Sequence, residues 1–138
     1  MIIKQISIFM ENAAGRLAGV TDLLAEAQIN LRAISIADTT EFGILRMVAD
    51  QPERAVKLLK EAGFAARETD VIGVEVPDEP GALAHIMRLF RDEGVSIEYL
   101  YASLEHKAER AVIVLKVDDI ATGLAMLEKH GFATLASF

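Results

Sequence analysis

The chain has 138 residues, enough for one domain or two very small ones to bury a core, and its 52% hydrophobic and 25% charged composition is too apolar for intrinsic disorder. A net charge of −7, with no Lys/Arg cluster able to follow a phosphate backbone, argues against a nucleic-acid partner. Cysteine is absent, which removes disulfides, thiolate nucleophiles and cysteine-bound metals and suits a reducing compartment.

The opening run MIIKQISIFM is interrupted by Lys4, Gln5 and Ser7 and lacks a small-residue cleavage site, so it reads as a strand and not a targeting segment. No apolar stretch approaches the roughly 20 residues of a membrane-spanning helix, so no membrane partner is expected and the expected location is cytoplasmic.

Laying the chain over itself reveals an internal repeat. AGRLAGVTDLLAEAQINL matches PGALAHIMRLFRDEGVSI with Gly15 on Gly81, an offset of 81 − 15 = 66. KEAGFA matches EKHGFA with Gly63 on Gly131, an offset of 131 − 63 = 68. The two extra residues of the second copy are expected in the loop around EHKAE, residues 105 to 109.

Each copy opens on a strand, with Ile6, Ile8 and Met10 in the first and Ile72, Val74 and Val76 in the second recurring at period two. A helix follows, carrying Leu17, Val20, Leu24 and Ala27, or Leu83, Ile86 and Phe90, along one apolar stripe. INLRAISIA and VSIEYLYAS then read as second strands. In both, the apolar parity slips at the same point: Ile29 and Leu31 against Ile34 and Ile36, Val95 and Ile97 against Leu100 and Ala102. Such a slip fits a β-bulge, or an ordinary irregular edge strand. ILRMVA and VIVLKV form third strands, with Arg46 and Lys116 on the face away from the core. Second helices with Val56, Leu59 and Ala62, or Leu124 and Leu127, end at Gly63 and Gly131, where a left-handed residue closes a helix at little cost. Closing strands follow from Phe64 and Phe132.

The order βαββαβ, twice, predicts an α+β protein of two tandem ferredoxin-like units, residues 1–70 and 71–138. Each unit is a four-stranded antiparallel sheet with both helices on one face. ARETDVIGVEV leads from the last strand of one unit into the first of the next without a Gly/Ser/Pro-rich linker, so a joined eight-stranded antiparallel sheet is expected.

The turns between first strand and first helix, MENAAGRL and VPDEPGAL, are where this fold exposes unbonded helix N–H groups and the positive end of the helix dipole. Gly15 and Gly81 allow a left-handed turn and close approach to the backbone, and Pro80 fixes the second turn. Asn12 and Asp78, each three residues before the glycine, can accept from an ammonium group. The outline suits a small amino acid, although Asx before a helix is also a common cap.

The pattern Asx-x-x-Gly-x-Leu after the first strand, INL or VSI opening the second, and GF after the second helix resembles the ACT domain. Two copies in tandem are similar to the small stand-alone ACT proteins. The resemblance implies paired domains that form a side-by-side eight-stranded sheet, bind amino acids at ACT–ACT interfaces and regulate metabolic enzymes or transcription. It also implies that Asn12, Ala14, Gly15, Arg16 and Leu17 meet Asn30, or its counterpart Ser96, from the adjoining domain. The second copy offers Asp78, Gly81, Ala82 and Leu83. The first lacks the usual proline before the glycine, and the second has Asp78 and Ser96 where serine-binding members have Asn, so the first copy is favoured as the ligand site.

Nothing in the sequence gathers catalytic groups. His85 shares a face with Arg88 and Asp92, His106 falls in a polar loop, and His130 ends a helix; none has a metal-ligand partner at a suitable spacing. Asp78/Glu79, Asp92/Glu93 and Asp118/Asp119 fit capping and solubility. Acylphosphatases share the ferredoxin-like fold, but Arg16 lacks a partner Asn near the third strand. Tyr99 and Tyr101 lie on the face without helices and are expected to mark a protein interface, hence a homodimer. The expected function is a non-catalytic, cofactor-free amino-acid sensor that modulates a metabolic enzyme or regulator. The alternative is a subunit that docks a catalytic partner through its sheet without a small ligand.

Overall fold

The computed structural model describes residues 1–11, 13–38, 41–104 and 109–137, with the side chain of Asp38 left aside. They form β1 (Ile3–Glu11), α1 (Arg16–Glu26), β2 (Leu31–Asp38), β3 (Phe42–Ala49), α2 (Pro52–Glu61), β4 (Ala65–Pro77), α3 (Ala82–Glu93), β5 (Ile97–Ala102), β6 (Arg110–Val117), α4 (Ile120–Lys129) and β7 (Thr134–Leu135). The fold is α+β, two ferredoxin-like βαββαβ units in tandem, with antiparallel strands. The chain divides into Lys4–Thr69 and a second compact unit of Met1–Ile3 with Asp70–Phe138.

Seven strands are described where eight were expected. ARETDVIGVEV is not a closing strand followed by an opening one but lies within a single strand, β4, of 13 residues. No turn-forming pair interrupts its alternation, and Gly73 inside it has a packing reason. The Ile3 side chain occupies the space where a Cβ on Gly73 would lie, which groups the N-terminal residues with the second unit.

In the unit Lys4–Thr69 the strand order is β2–β3–β1–β4, with Ile6 opposite Met47 and Ile8 opposite Leu45. Those side chains pack with Val20 and Leu24 of α1 and Ala55, Val56 and Leu59 of α2, so one sheet face and both helices share a core. The second unit repeats this: Ile72, Val74, Ile113 and Leu115 pack with Ile86 and Phe90 of α3 and Met126 and Leu127 of α4. There β5 pairs β6, β6 pairs β4, and the short β7 pairs β4 at Val74–Thr134. Gly123 lets α4 close on the sheet, since a Cβ there would stand 3.1 Å from Ile72 and 3.2 Å from Phe90.

The two parity slips are register shifts, between Leu31 and Ala33 in β2 and between Ile97 and Tyr99 in β5. Residues 105 to 108, where the extra pair of residues was expected, lie outside the described residues. One burial expectation fails. Leu17 and Leu83 start their helices 39% and 38% exposed instead of joining the apolar stripe. Tyr101 faces away from the helices opposite Val114, yet it is only 8% exposed, and Tyr99 is half-buried. Val112 and Val114 on that face are buried too, so the face is packed there and presents no exposed aromatic pair.

Candidate functional site

Both glycine turns take the conformation the sequence required. Gly15 has φ 84° and Gly81 φ 90°, each standing immediately before its helix with open space where a Cβ would be. Only glycine adopts this left-handed geometry without steric cost. The side-chain cap that would make these ordinary helix starts is absent from both among the described residues.

The first-turn amides divide into two classes. Arg16 N–H donates to the Ala13 carbonyl at 3.2 Å and Ala82 N–H to the Glu79 carbonyl at 3.3 Å, closing the turns. Those two amides are therefore committed to the protein. Leu17 and Ala18 in α1, and Leu83 and Ala84 in α3, have N–H groups with no acceptor among the described residues. All four residues are exposed. They leave at each turn a pair of donors at the positive end of a helix dipole, able to receive a carboxylate.

The surroundings of the two turns differ. In the first, the Arg16 guanidinium lies 5.1 Å from the centroid of the Phe64 ring, a cation–π contact. In the second, the equivalent ring, Phe132, is met by His85 at 5.7 Å. Pro77, Glu79, Gly81, Ala82, His85 and Phe132 line a groove of about 350 Å³. The first mouth thus presents a fixed cation, and the second is edged by Asp78 and Glu79.

Of the expected site residues, Ala14, Gly15, Arg16 and Leu17 are exposed at the first turn and Asp78, Gly81 and Leu83 at the second, with Ala82 half-buried. Asn12 lies outside the described residues. Asn30 and Ser96 stand exposed just before β2 and β5 and do not line the groove at Gly81.

Asn30 is held by Asp50, which the sequence reading left aside, and Ser96 by Asp118, which it assigned to capping and solubility. Asn30 N–H donates to Asp50 Oδ1 at 3.1 Å, and Asp50 N–H returns a bond to the Asn30 carbonyl at 3.0 Å. Ser96 N–H donates to Asp118 Oδ1 at 3.0 Å, and Asp118 N–H to the Ser96 carbonyl at 3.1 Å. With the backbone fixed from both sides, the side chains of Asn30 and Ser96 are left to solvent. The signal was present in the repeat: Asp50 and Asp118 match at the offset of 68, each directly after a buried strand. Asp118 is therefore a clamp, while its neighbour Asp119 is the true cap of α4, accepting from Thr122 N–H at 3.1 Å.

The register shift in β2 carries a further feature. Arg32 buries its Nε with no acceptor among the described residues, whereas Glu98, the residue matching it in β5, is paired with Lys116 at 3.2 Å. His85 and His130 are exposed; His106 lies outside the described residues. No helix among the described residues is long and apolar enough to cross a membrane.

Two βαββαβ units, each with a left-handed glycine turn at the matching point, can be set beside known proteins. The ACT domain pair family matches residues 1–133. The chain belongs to that family. Among solved structures, protein BT0572 from Bacteroides thetaiotaomicron is similar, with 40% identity and a TM-score of 0.93 over 99% of this chain and 94% of that one. The regulatory subunit of aspartate kinase from Thermus thermophilus, in its ligand-free form, shares the fold at 18% identity and a TM-score of 0.68, covering 93% of this chain and 92% of its own. The corresponding subunit from Thermus flavus does so at 17% identity and a TM-score of 0.60, over 94% of each chain. No curated protein matches the sequence. The recognition of two ACT-type units from the turns and the element order is thus upheld.

Proposed function

We propose that this ACT pair is a non-catalytic sensor that binds a small amino acid at its glycine turns and modulates a metabolic enzyme or regulator. The observation that carries the reading is the left-handed glycine at each turn, followed by two first-turn amides with no acceptor among the described residues. Together they fit a carboxylate, while Asp78 in the second copy, and Asn12 in the first, supply acceptors for an ammonium group. Arg16 favours the first turn for a ligand of greater negative charge.

Asn30 or Ser96, stiffened by its aspartate clamp, completes the site from an adjoining ACT domain, and the working form is a homodimer. Support for self-association comes from the apolar side chains left exposed in both units, Leu17 and Ile36 in one and Leu83 and Leu100 in the other. The fold shared with regulatory subunits of aspartate kinase is consistent with a regulated enzyme as partner. A ligand-induced coupling of about 1–3 kcal/mol suffices for such control.

Calorimetric titration with each of the twenty amino acids tests the proposal. Saturable binding of at least one is expected; the absence of binding at millimolar concentration for all of them overturns it. Recovery of a stoichiometric enzyme partner that is indifferent to every amino acid would favour docking through the sheet instead.

A further inference from the structure

The repeat supplies an internal control for the sheet face that turns away from the helices. Ile8 and Met10 point into the first unit's core, so Phe9 and its antiparallel partner Ile44 occupy the opposite face, with Phe42 on the same side. Phe9 and Phe42 are stacked at 5.1 Å with their planes 17° apart, yet they are 55% and 39% exposed. In the second unit the matching positions are 9 + 66 = 75 and 42 + 68 = 110, and they hold Glu75 and Arg110 in an ion pair at 3.5 Å. The fold therefore accommodates a hydrated, charged pair at this place. Two exposed phenyl rings are a feature of the first unit alone and are not required for folding.

A third position changes with them. Arg67 in the first unit corresponds to Leu135 in the second, 67 + 68 = 135. The Arg67 guanidinium has no hydrogen bond or ion pair among the described residues. Ser7, Phe9, Ile44, Ala65, Ala66 and Arg67 enclose a groove of about 450 Å³, within the range of small-molecule sites. Ser7 lies on its floor, where its hydroxyl accepts from Gln5 Nε2 at 3.0 Å and stands 3.1 Å from the Thr69 hydroxyl. The groove thus offers a flat aromatic platform, an aliphatic wall, a hydroxyl floor and one uncommitted cation.

We propose that this groove binds a small aromatic carboxylate, its ring packed against Phe9, which Phe42 backs, and its anionic group on Arg67. The site is separate from the glycine turns and does not depend on how they function. Charge complementarity selects the occupant, because a free guanidinium at the end of an otherwise uncharged groove recognises a planar carboxylate through paired N–H donors.

Titration with 2-naphthoate and with its uncharged analogue 2-naphthamide, followed by calorimetry and amide NMR shifts, tests it. The intact protein is expected to bind naphthoate saturably, one per chain, with shifts at Ser7, Ile44 and Arg67. Arg67→Gln is expected to weaken naphthoate about tenfold while leaving naphthamide unchanged. The double variant Phe9→Glu with Phe42→Arg grafts in the pair the second unit already folds with, and is expected to abolish binding of both. No saturable binding of naphthoate overturns the proposal. So does binding that survives the graft or is unaffected by Arg67→Gln. A graft that instead converts a dimer into monomers in sedimentation would assign the face to a second copy of the chain and overturn it as well.

Discussion

Replacing Gly15 with alanine separates what the first turn does for folding from what it does for binding. With φ at 84° and nothing within 4 Å of the new Cβ, the substitution meets no neighbour, so its cost is confined to the backbone. A left-handed conformation costs a non-glycine residue about 1–2 kcal/mol. Stiffening of the unfolded chain by alanine offsets part of this loss, but where φ is positive the native-state strain outweighs it. A net loss of about 1–2 kcal/mol is expected, seen as a fall of roughly 3–6 °C in the unfolding midpoint for a chain of this size. Gly63→Ala is the matched control: φ is 89°, the Cβ site is equally empty, and the residue belongs to the same unit. Urea titrations should give the two variants similar losses. Calorimetry should not: for an amino acid bound as proposed at the first turn, Gly15→Ala should weaken affinity about tenfold or more by re-aiming the Leu17 and Ala18 amides, a change of about 1.4 kcal/mol. Gly63→Ala should leave it unaltered. Equal affinities for the two variants would refute the assignment of the turn as a carboxylate site, and a stability loss of only a few tenths of a kcal/mol would refute the backbone argument.

Gln28 adopts φ 60° where the second copy has Gly94 at φ 71°, so Gln28→Gly should stabilise the chain by about 0.5–1 kcal/mol in urea titration. Asp50→Ala removes the clamp on the Asn30 backbone and should cost about 1 kcal/mol while also raising the dissociation constant of any ligand that Asn30 contacts, both read by combining urea unfolding with calorimetry. The Asp119 carboxyl is held below its ordinary value of 3.8, chiefly by the hydroxyl of Thr122 and then by that residue's N–H. A depressed folded-state value means the ionised cap stabilises above pH 3.8 and loses that contribution as pH falls through the folded value. The stability difference between wild type and Asp119→Asn should therefore be greatest near neutrality and shrink toward zero in acid; a difference that grows on acidification would contradict this.

The repeat made most of the fold legible. Apolar residues at period two gave the strands, Val20/Leu24 and Ile86/Phe90 gave the buried helical stripes, and the parity slip at Leu31 and Ile97 gave both register shifts. Each of these is a local consequence of which side chains must leave water, so a one-dimensional pattern suffices. Burial at Tyr101 could not be read that way, since parity states which face a residue takes and not how closely that face is packed. Leu17 and Leu83 fail for a related reason: they keep helical spacing but stand in the first turn, before the helix reaches the core.

The site divides along the same line. The sequence by itself determined where the two turns fall and that Gly15 and Gly81 would be left-handed, because only glycine removes the Cβ penalty at such a junction. Which amides remain without an acceptor was decided by the tertiary structure, as was the use of Asp50 and Asp118 to tie down Asn30 and Ser96 from 20 and 22 residues away. Hydrogen bonding across such separations depends on the chain having already folded back on itself, and no local spacing rule encodes that return.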